Sequence, residues 1–267
     1  ILVDVNLSNA DLSGADLNNA DLSGADLSGA DLRGANLSNT ILDDMNNNPF
    51  GIHENLKGKD LRGANLSNTD LKNMDFSVSN LSNADLSNAD LRGAVLIGTK
   101  LVDANLNNAD LSGADLSGAD LSGADITGTI LTNVIFNGAN LSRMDFSNMD
   151  LRGAIFFDTF LIETNLSNSN LRNALLVDAN LSNADLRGAD LSNVLLQDTY
   201  LKNANFEGAD LTNSGIMDWK LWNSVLTDVN LSNTKLTGAN LSFYVKNKGF
   251  IKFSIHKLRF ITANMEG

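Results

Sequence analysis

Leucine recurs at every fifth position through nearly the whole chain, and this spacing is the main feature of the sequence. One series of central residues, mostly Leu with occasional Phe or Ile, runs from Leu2 to Leu42, and a second runs from Leu56 to Leu241. Ala often stands two places before the central residue, and Asp or Asn lies between them, as in Ala35-Asn36-Leu37. A short period kept over such a length indicates a solenoid, in which each unit contacts mainly its neighbours.

Each five-residue unit predicts a very short strand followed by a corner. The apolar-polar-apolar alternation over three residues is the period of a β-strand, with Ala and Leu pointing inward. The two residues that follow are Ser, Arg, Gly or Asn, which favour turns. A chain that turns every five residues must wind into coils, and stacked coils pair their backbones about 4.8 Å apart. An interior of Ala and Leu is narrow and filled by side chains.

The outward apolar residues indicate how many units make one coil. With four units, residues 20 apart share a wall, and most outward apolar residues then fall on two adjacent walls. With three units they scatter over every wall. Four units also place the inward phenylalanines on two opposite walls of a square: Phe76, Phe136, Phe146, Phe156 and Phe206.

These Ala-(Asp/Asn)-Leu-X-X units resemble the pentapeptide-repeat proteins, and the resemblance covers most of the chain. It implies an all-β fold, a right-handed quadrilateral parallel β-helix of about twelve coils. The hexapeptide solenoids need a period of six and the calcium-binding solenoids a Gly-Gly-x-Gly-x-Asp run, and neither pattern is present. The nearly unaltered Asp-Leu-Ser-Gly-Ala-Asp-Leu runs are similar to those of cyanobacterial members, which implies a bacterial source.

Two departures from the repeat divide the chain into segments 1–45, 46–55, 56–241 and 242–267. Leu42 and Leu56 are 14 residues apart, a phase slip of one residue, and the stretch between them contains Asn-Asn-Asn-Pro turn chemistry. We expect a loop at 46–55, either a neutral insertion or a partner-contacting segment. Lys59 would point inward, so the coil is expected to become regular only near Leu61.

The last segment, 242–267, is basic and aromatic, unlike the repeats. We expect it to cap the final coil, which otherwise exposes apolar side chains and an open edge; the alternative is a basic arm for an acidic partner. Trp219 stands where Ala is usual, and a Trp cannot fit a slot shaped for a methyl group, so a local bulge is expected near Met217–Trp222.

The composition narrows the range of functions. The net charge of −13 disfavours direct binding to nucleic acid, whose phosphates it repels. The chain has no cysteine and no apolar run long enough to span a membrane. No signal segment is visible, which favours a cytoplasmic protein, although the first residue is not Met and an upstream part is expected to be unseen.

Nothing in the sequence points to an enzyme, a cofactor or a metal site. The two histidines, His53 and His256, lie outside the repeats, and no phosphate-binding glycine loop is present. The repeating aspartates lie on a convex outer surface, which offers no apolar cleft for acid–base catalysis. The corner aspartates Asp158, Asp178, Asp198 and Asp218 share one column, but calcium needs six or more oxygens around it, so no metal site is predicted.

The predicted function is a scaffold that binds a protein partner, or a second copy in a homodimer, through an apolar side face. An apolar patch of this extent is unusual on a soluble monomer. The interaction residues lie along one column and the neighbouring wall: Val95, Ile97, Ile135, Ile155, Phe157, Phe160, Ile162, Leu175, Val177, Leu195, Tyr200 and Met217.

The alternative function is imitation of DNA. Resemblance to the quinolone-resistance members of the family implies an acidic rod that binds DNA gyrase. The repeat region, however, carries about half the charge per unit length of duplex DNA, which has one charge per roughly 1.7 Å. Residues 1–45 suit this hypothesis better than residues 56–241.

Overall fold

The computed structural model describes residues 1–42 and 56–215, together with residues 231, 234 and 235. The chain divides into two compact units, Ile1–Ile135 and Phe136–Gly267, each of which is described by itself. Within the described residues, β-pairing consists of isolated parallel bridges, one residue long, and no α-helix occurs. The predicted loop at 46–55, the cap at 242–267 and the bulge at Met217–Trp222 lie outside the described residues.

The bridges join residues 20 apart, so one coil takes four five-residue units. Asp85 bridges Asn105 in the first unit, and Phe160 bridges Asn180 in the second. Every fifth residue forms such a bridge, which gives each coil four walls. This is the coil size that the outward apolar residues predicted.

A tight turn forms each corner. The amide of Ala84 donates to the carbonyl of Leu81 (3.0 Å), and Asn83 between them has φ of 59°. A four-residue turn with positive φ at its third residue is the requirement of a type II turn, which Gly and Asn meet with little strain. This explains why Gly or Asn ends most units. Val78 is an exception, with φ of 54°.

The outward Asp or Asn fixes the corner that follows it. The Asp115 carboxylate accepts hydrogen bonds from the amide (2.9 Å) and the hydroxyl (2.5 Å) of Ser117. The same side-chain-to-backbone bond, an Asx turn, recurs at most polar outward positions of both units and substitutes for a backbone turn bond. The outward position therefore has a structural role as well as a solvated one.

The interior is filled by Leu, Ala and Phe side chains that are almost completely buried. Phe136 stacks on Phe156 one coil away, with ring centroids 5.4 Å apart and an interplanar angle of 18°. Phe136 also meets Phe146 edge-on, with centroids 6.2 Å apart. Because Phe146 is two walls away from Phe136 along the coil, this contact across the interior confirms the placement of the phenylalanines on opposite walls.

Threonine replaces the inward Ala at several positions without leaving its hydroxyl unpaired. The Thr159 hydroxyl donates to the carbonyl of Phe136 (2.8 Å), and the Thr199 hydroxyl donates to that of Leu176 (2.7 Å). Each bond ties a coil to the one before it. A buried hydroxyl is tolerated only when it is hydrogen-bonded, so this contact explains why Thr can stand in an apolar interior.

The register changes at two places within the described residues. Asn36 bridges Asn65, 29 residues later, which is nine more than the usual 20, and Asp210 bridges Lys235, 25 residues later. The coil was expected to become regular only near Leu61, and the first bridge after the break agrees, since Asp60 bridges Asn80 and the carbonyl of Lys59 accepts the Asn80 amide (2.8 Å). The Lys59 ammonium donates to the carbonyl of Leu27, which lets a lysine occupy this position, and burial lowers its pKa.

Candidate protein-interaction surface

Three aliphatic residues occupy consecutive outward positions on one wall of the second unit. Ile155 bridges Leu175, and Leu175 bridges Leu195. We call this the aliphatic wall. Each of the three side chains is half-buried, because neighbours about 4.8 Å apart cover one another. An aliphatic side chain cannot accept the corner hydrogen bond that Asp or Asn accepts at this position, so the corners after these three residues lack that bond.

The wall that follows carries two exposed aromatic residues. Phe160 and Tyr200 are 48% and 49% exposed, and Asn180 lies between them as the bridge partner of both. We call this the aromatic wall. Two residues of the corner that joins it to the aliphatic wall are also apolar: Phe157, which is exposed, and Val177, which is half-buried.

The structure therefore brings eight of the predicted interaction residues together in the second unit, around one corner of the coil. We call this surface the apolar corner, and it comprises Ile155, Phe157, Phe160, Ile162, Leu175, Val177, Leu195 and Tyr200. Ile162 lies at the far edge of the aromatic wall and is half-buried. The surface extends over three successive coils, roughly 10 Å between the outermost of them.

The remaining predicted residues do not form a comparable surface. In the first unit, Val95 and Ile135 lie in one column, but Asp115 bridges both of them and separates them. Ile97, at the neighbouring corner, is 42% exposed. The prediction of an apolar column did not take account of Asp115, whose carboxylate accepts the amide of Ser117 in its own turn. Met217 lies outside the described residues.

The polar walls carry ladders of charged residues that the repeat pattern alone did not predict. In the first unit, the Lys72 ammonium lies 2.8 Å from the Asp70 carboxylate and 3.1 Å from that of Asp90. Arg92 lies 2.7 Å from the Asp90 carboxylate, and its hydrogen bond is the main cause that lowers the pKa of Asp90 to about 2. Arg33 has the same effect on Asp31, whose pKa falls to about 2. The signal was present in the sequence as Asp-Leu-Arg or Asp-Leu-Lys triplets.

Amide side chains also connect the coils. Asn105 donates to the carboxylate of Asp85 (3.0 Å), and Asn165 donates to that of Asp145 (3.0 Å). Alternating Asp with Asn in successive coils replaces like-charge repulsion with a hydrogen bond. These walls are therefore self-satisfied polar surfaces, in contrast to the apolar corner.

Neither a metal site nor a membrane span can be assigned to the described residues. No group of three or more Asp, Glu or His side chains there is arranged to hold a metal ion. Nor does that part of the chain form a helix long and apolar enough to cross a membrane.

Comparison with known proteins identifies the family. The model of pentapeptide repeats matches residues 1–43, 60–98, 94–133 and 220–243, and that of a pentapeptide repeat region matches residues 129–206. The chain belongs to the pentapeptide-repeat family. With the parallel bridges described above, this membership makes the chain a right-handed β-helix solenoid. Members of this family are generally structural or interaction proteins rather than enzymes.

The solved structures to which the chain is similar include two cyanobacterial proteins. HetL, a pentapeptide repeat protein involved in heterocyst differentiation regulation in Nostoc sp. strain PCC 7120, is 33% identical over 90% of this chain and 89% of its own, with a TM-score of 0.35. Rfr23 from Cyanothece 51142 is 26% identical over 43% of this chain and 86% of its own, with a TM-score of 0.33. A third, the plasmid-mediated fluoroquinolone resistance protein QnrB1, is 21% identical over 91% of both chains, with a TM-score of 0.18. The curated proteins give no match.

Proposed function

We propose that this protein is a non-enzymatic scaffold that binds a protein partner, or a second copy of itself, through the apolar corner. The observation that carries the proposal is the run of Ile155, Leu175 and Leu195 on one wall in consecutive coils. At each of these places Asp or Asn is the residue that stabilises the turn. Three departures on adjacent coils of one wall create an apolar surface that a binding partner would cover.

The environment of the wall supports this role. Phe157, Phe160 and Tyr200 extend the apolar surface around the corner, and aromatic residues are the type most enriched at the energetic centres of interfaces. In the second unit the flanking polar walls pair their own charges, as in Arg152 with Asp150 at 2.5 Å. Such a pair suits the hydrated rim around an apolar centre.

The double variant Ile155→Asp, Leu175→Asp tests the proposal. Because Asp is the usual residue at this position of the repeat, the variant should fold and keep its circular dichroism spectrum. We expect it to lose partner capture from an extract of the source organism, or to lose any self-association measured by light scattering. Ile130→Asp is the matched control, since Ile130 is an outward apolar residue of the first unit that is 45% exposed.

Two results separate the outcomes. If the double variant captures the same partners as the wild type and has the same mass in solution, the apolar corner is not a binding surface. If Ile130→Asp abolishes binding as fully as the double variant does, the effect is one of added charge, and the proposal fails for that reason.

Imitation of DNA by the acidic surface has less support. A duplex mimic must present charges that its partner can neutralise, yet the first unit neutralises several of its own. Asp60 lies 2.6 Å from Arg62, and Lys72 is shared between Asp70 and Asp90. A supercoiling assay with DNA gyrase tests this alternative, and inhibition by micromolar protein would favour it.

A further inference from the structure

We infer that the occupant of the apolar corner is a basic, extended, amphipathic segment of another protein, which crosses the corner and contacts both walls. The inference rests on the proposed function and adds the chemistry of the partner. It follows from the shape of the surface, from the charge at its corner and from the spacing of its aromatic residues.

The shape of the corner disfavours a flat or self-associating partner. The aliphatic wall is one outward residue wide and three coils high, roughly 10 Å between its outermost coils. This wall alone is far smaller than the about 800 Å² per partner that a standard protein interface buries. A flat surface covers only one wall, and a second copy presents the same convex corner, so that two corners would touch along a line. An extended segment can bend around the corner and cover both walls.

The charge at the corner selects a basic partner. Asp158 is exposed and lies in sequence between Phe157 on one side of the corner and Phe160 on the other. Asp178 occupies the equivalent turn position one coil later, and both residues have positive φ, 55° and 57°. On the far side of the aromatic wall, Arg143 pairs with Glu163 at 2.8 Å and Lys202 is exposed, so the unneutralised acidic character lies at the corner and not at that edge. Carboxylates beside aromatic rings attract Lys and Arg by charge and by the negative ring faces.

The aromatic wall contains a gap suited to a single side chain. Phe160 and Tyr200 are two coils apart, roughly 10 Å, and Asn180 forms the floor between them. A lysine or arginine side chain inserted over Asn180 would contact an aromatic residue on either side. Its cationic end would remain close to the carboxylates of the corner.

Conservative variants can remove the charge without disturbing the fold. Asn is the usual residue at this turn position, and Asn173 and Asn183, both in the second unit, have the same positive φ of 60°. The variant Asp158→Asn, Asp178→Asn should therefore fold normally. The matched control is Asp4→Asn, Asp103→Asn, because these two aspartates of the first unit have φ of 55° at the same turn position. Both variants lose the same two charges.

The probe is a fluorescein-labelled decapeptide of alternating lysine and leucine, whose binding to the full chain is followed by fluorescence anisotropy. The buffer contains 0.15 M salt, at which charges are screened over a Debye length of about 8 Å. Decapeptides of alternating glutamate and leucine and of alternating lysine and serine serve as comparisons. We expect only the lysine–leucine peptide to bind. The Asp158→Asn, Asp178→Asn variant should weaken that binding roughly five- to tenfold, as expected for two charge pairs at a partly desolvated surface. The Asp4→Asn, Asp103→Asn control should leave it unchanged.

The outcomes distinguish this inference from the proposed function. If the glutamate–leucine peptide binds equally well, or if the corner charge variant binds as the wild type does, the preference for a basic partner is wrong while the apolar surface remains. If the lysine–serine peptide binds as well as the lysine–leucine peptide, or if the uncharged variant Ile155→Asn, Leu175→Asn leaves binding unchanged, the apolar corner itself is wrong. A rise in mass with concentration that the peptide reverses would identify a second copy as the occupant and overturn the inference.

Discussion

Ser79 provides a sharp test of how the coils satisfy buried polar groups. Ser79 is 1% exposed, and its hydroxyl has no hydrogen-bond partner in the part of the chain that the structure describes. The reason lies in the carbonyl of Phe76, which already accepts the amide of Ser79 (2.9 Å) and the hydroxyl of Thr99 (2.8 Å). A carbonyl oxygen has two lone pairs, so no acceptor capacity remains for the Ser79 hydroxyl.

Ser169 supplies the matched case in the second unit. Its hydroxyl donates to the carbonyl of Leu166 (2.7 Å) in its own turn. The residue one coil later is Ala189, which carries no hydroxyl to compete for that carbonyl. Two serines at the same repeat position therefore differ in hydrogen bonding because of the residue in the next coil.

We expect Ser79→Ala to raise the free energy of unfolding by about 1 kcal/mol, because it removes a buried hydroxyl whose desolvation is uncompensated. Ser169→Ala should lower it by about 1 kcal/mol, the net value of a typical hydrogen bond. Thr99→Ala in the Ser79→Ala background should cost about 1 kcal/mol more than in the wild type, since in the wild type the freed Phe76 carbonyl becomes available to Ser79.

Urea unfolding followed by circular dichroism measures these differences. Coincidence with a second probe, such as hydrogen exchange of the first unit, is needed because solenoids can unfold in parts. The reasoning is refuted if Ser79→Ala destabilises the protein as much as Ser169→Ala does. It is also refuted if the effects of Ser79→Ala and Thr99→Ala are additive.

Three further predictions follow from single residues. Val78→Asn should stabilise the protein by about 1 kcal/mol in urea unfolding, because a β-branched residue at φ of 54° is strained and Asn is not; no gain would show that the turn has relaxed around valine. The pKa values of about 2 for Asp31 and Asp90 lie below the ordinary 3.8, so their contribution to stability is present above about pH 4 and is lost as the pH falls toward 2; Arg92→Gln should flatten the acid limb of stability against pH, and an unchanged limb would exclude the pair as its cause. Phe156→Ala should cost about 3–5 kcal/mol and Phe156→Leu much less, because Leu fills this slot elsewhere, and equal losses would show that ring stacking on Phe136 is required.

The spacing of leucines and outward apolar residues was enough to predict the wall number and the opposite placement of the phenylalanines. Both depend on a strict geometric relation, since residues that share a wall must be separated by one full coil. The bridges at 20-residue spacing and the contact of Phe136 with Phe146 confirm this relation. A period carried by buried side chains can be read directly, because a slip of one residue would turn every leucine outward.

The composition of the candidate site was harder to predict. The 20-residue spacing of apolar residues correctly predicted that Ile155, Leu175 and Leu195 are neighbours. It did not reveal the interruption by Asp115, because a spacing between apolar residues takes no account of a polar residue that lies between them. The structure shows that Asp115 separates Val95 from Ile135 and anchors its own turn. The bridge partners at the two register changes also could not be predicted from spacing. The residues that break the repeat can leave the coil at any corner, so the spacing does not say which later residue pairs with Asn36 or with Asp210.

The energetics of the outward position explain why its departures carry information about function. An Asp there gains an Asx hydrogen bond of about 1 kcal/mol, whereas a half-buried aliphatic residue stacked on its neighbours gains about the same from apolar burial. We therefore expect Ile155→Asp, Leu175→Asp to change the free energy of unfolding by less than about 1 kcal/mol while it abolishes binding. If stability were the only constraint, Asp and aliphatic residues would be equally acceptable at the outward position, and aliphatic residues would be scattered over all four walls. Aliphatic residues on three successive coils of one wall, beside a wall with Phe160 and Tyr200, require a cause other than stability. A large loss of stability in the double variant would remove that argument and return the aliphatic wall to a structural role.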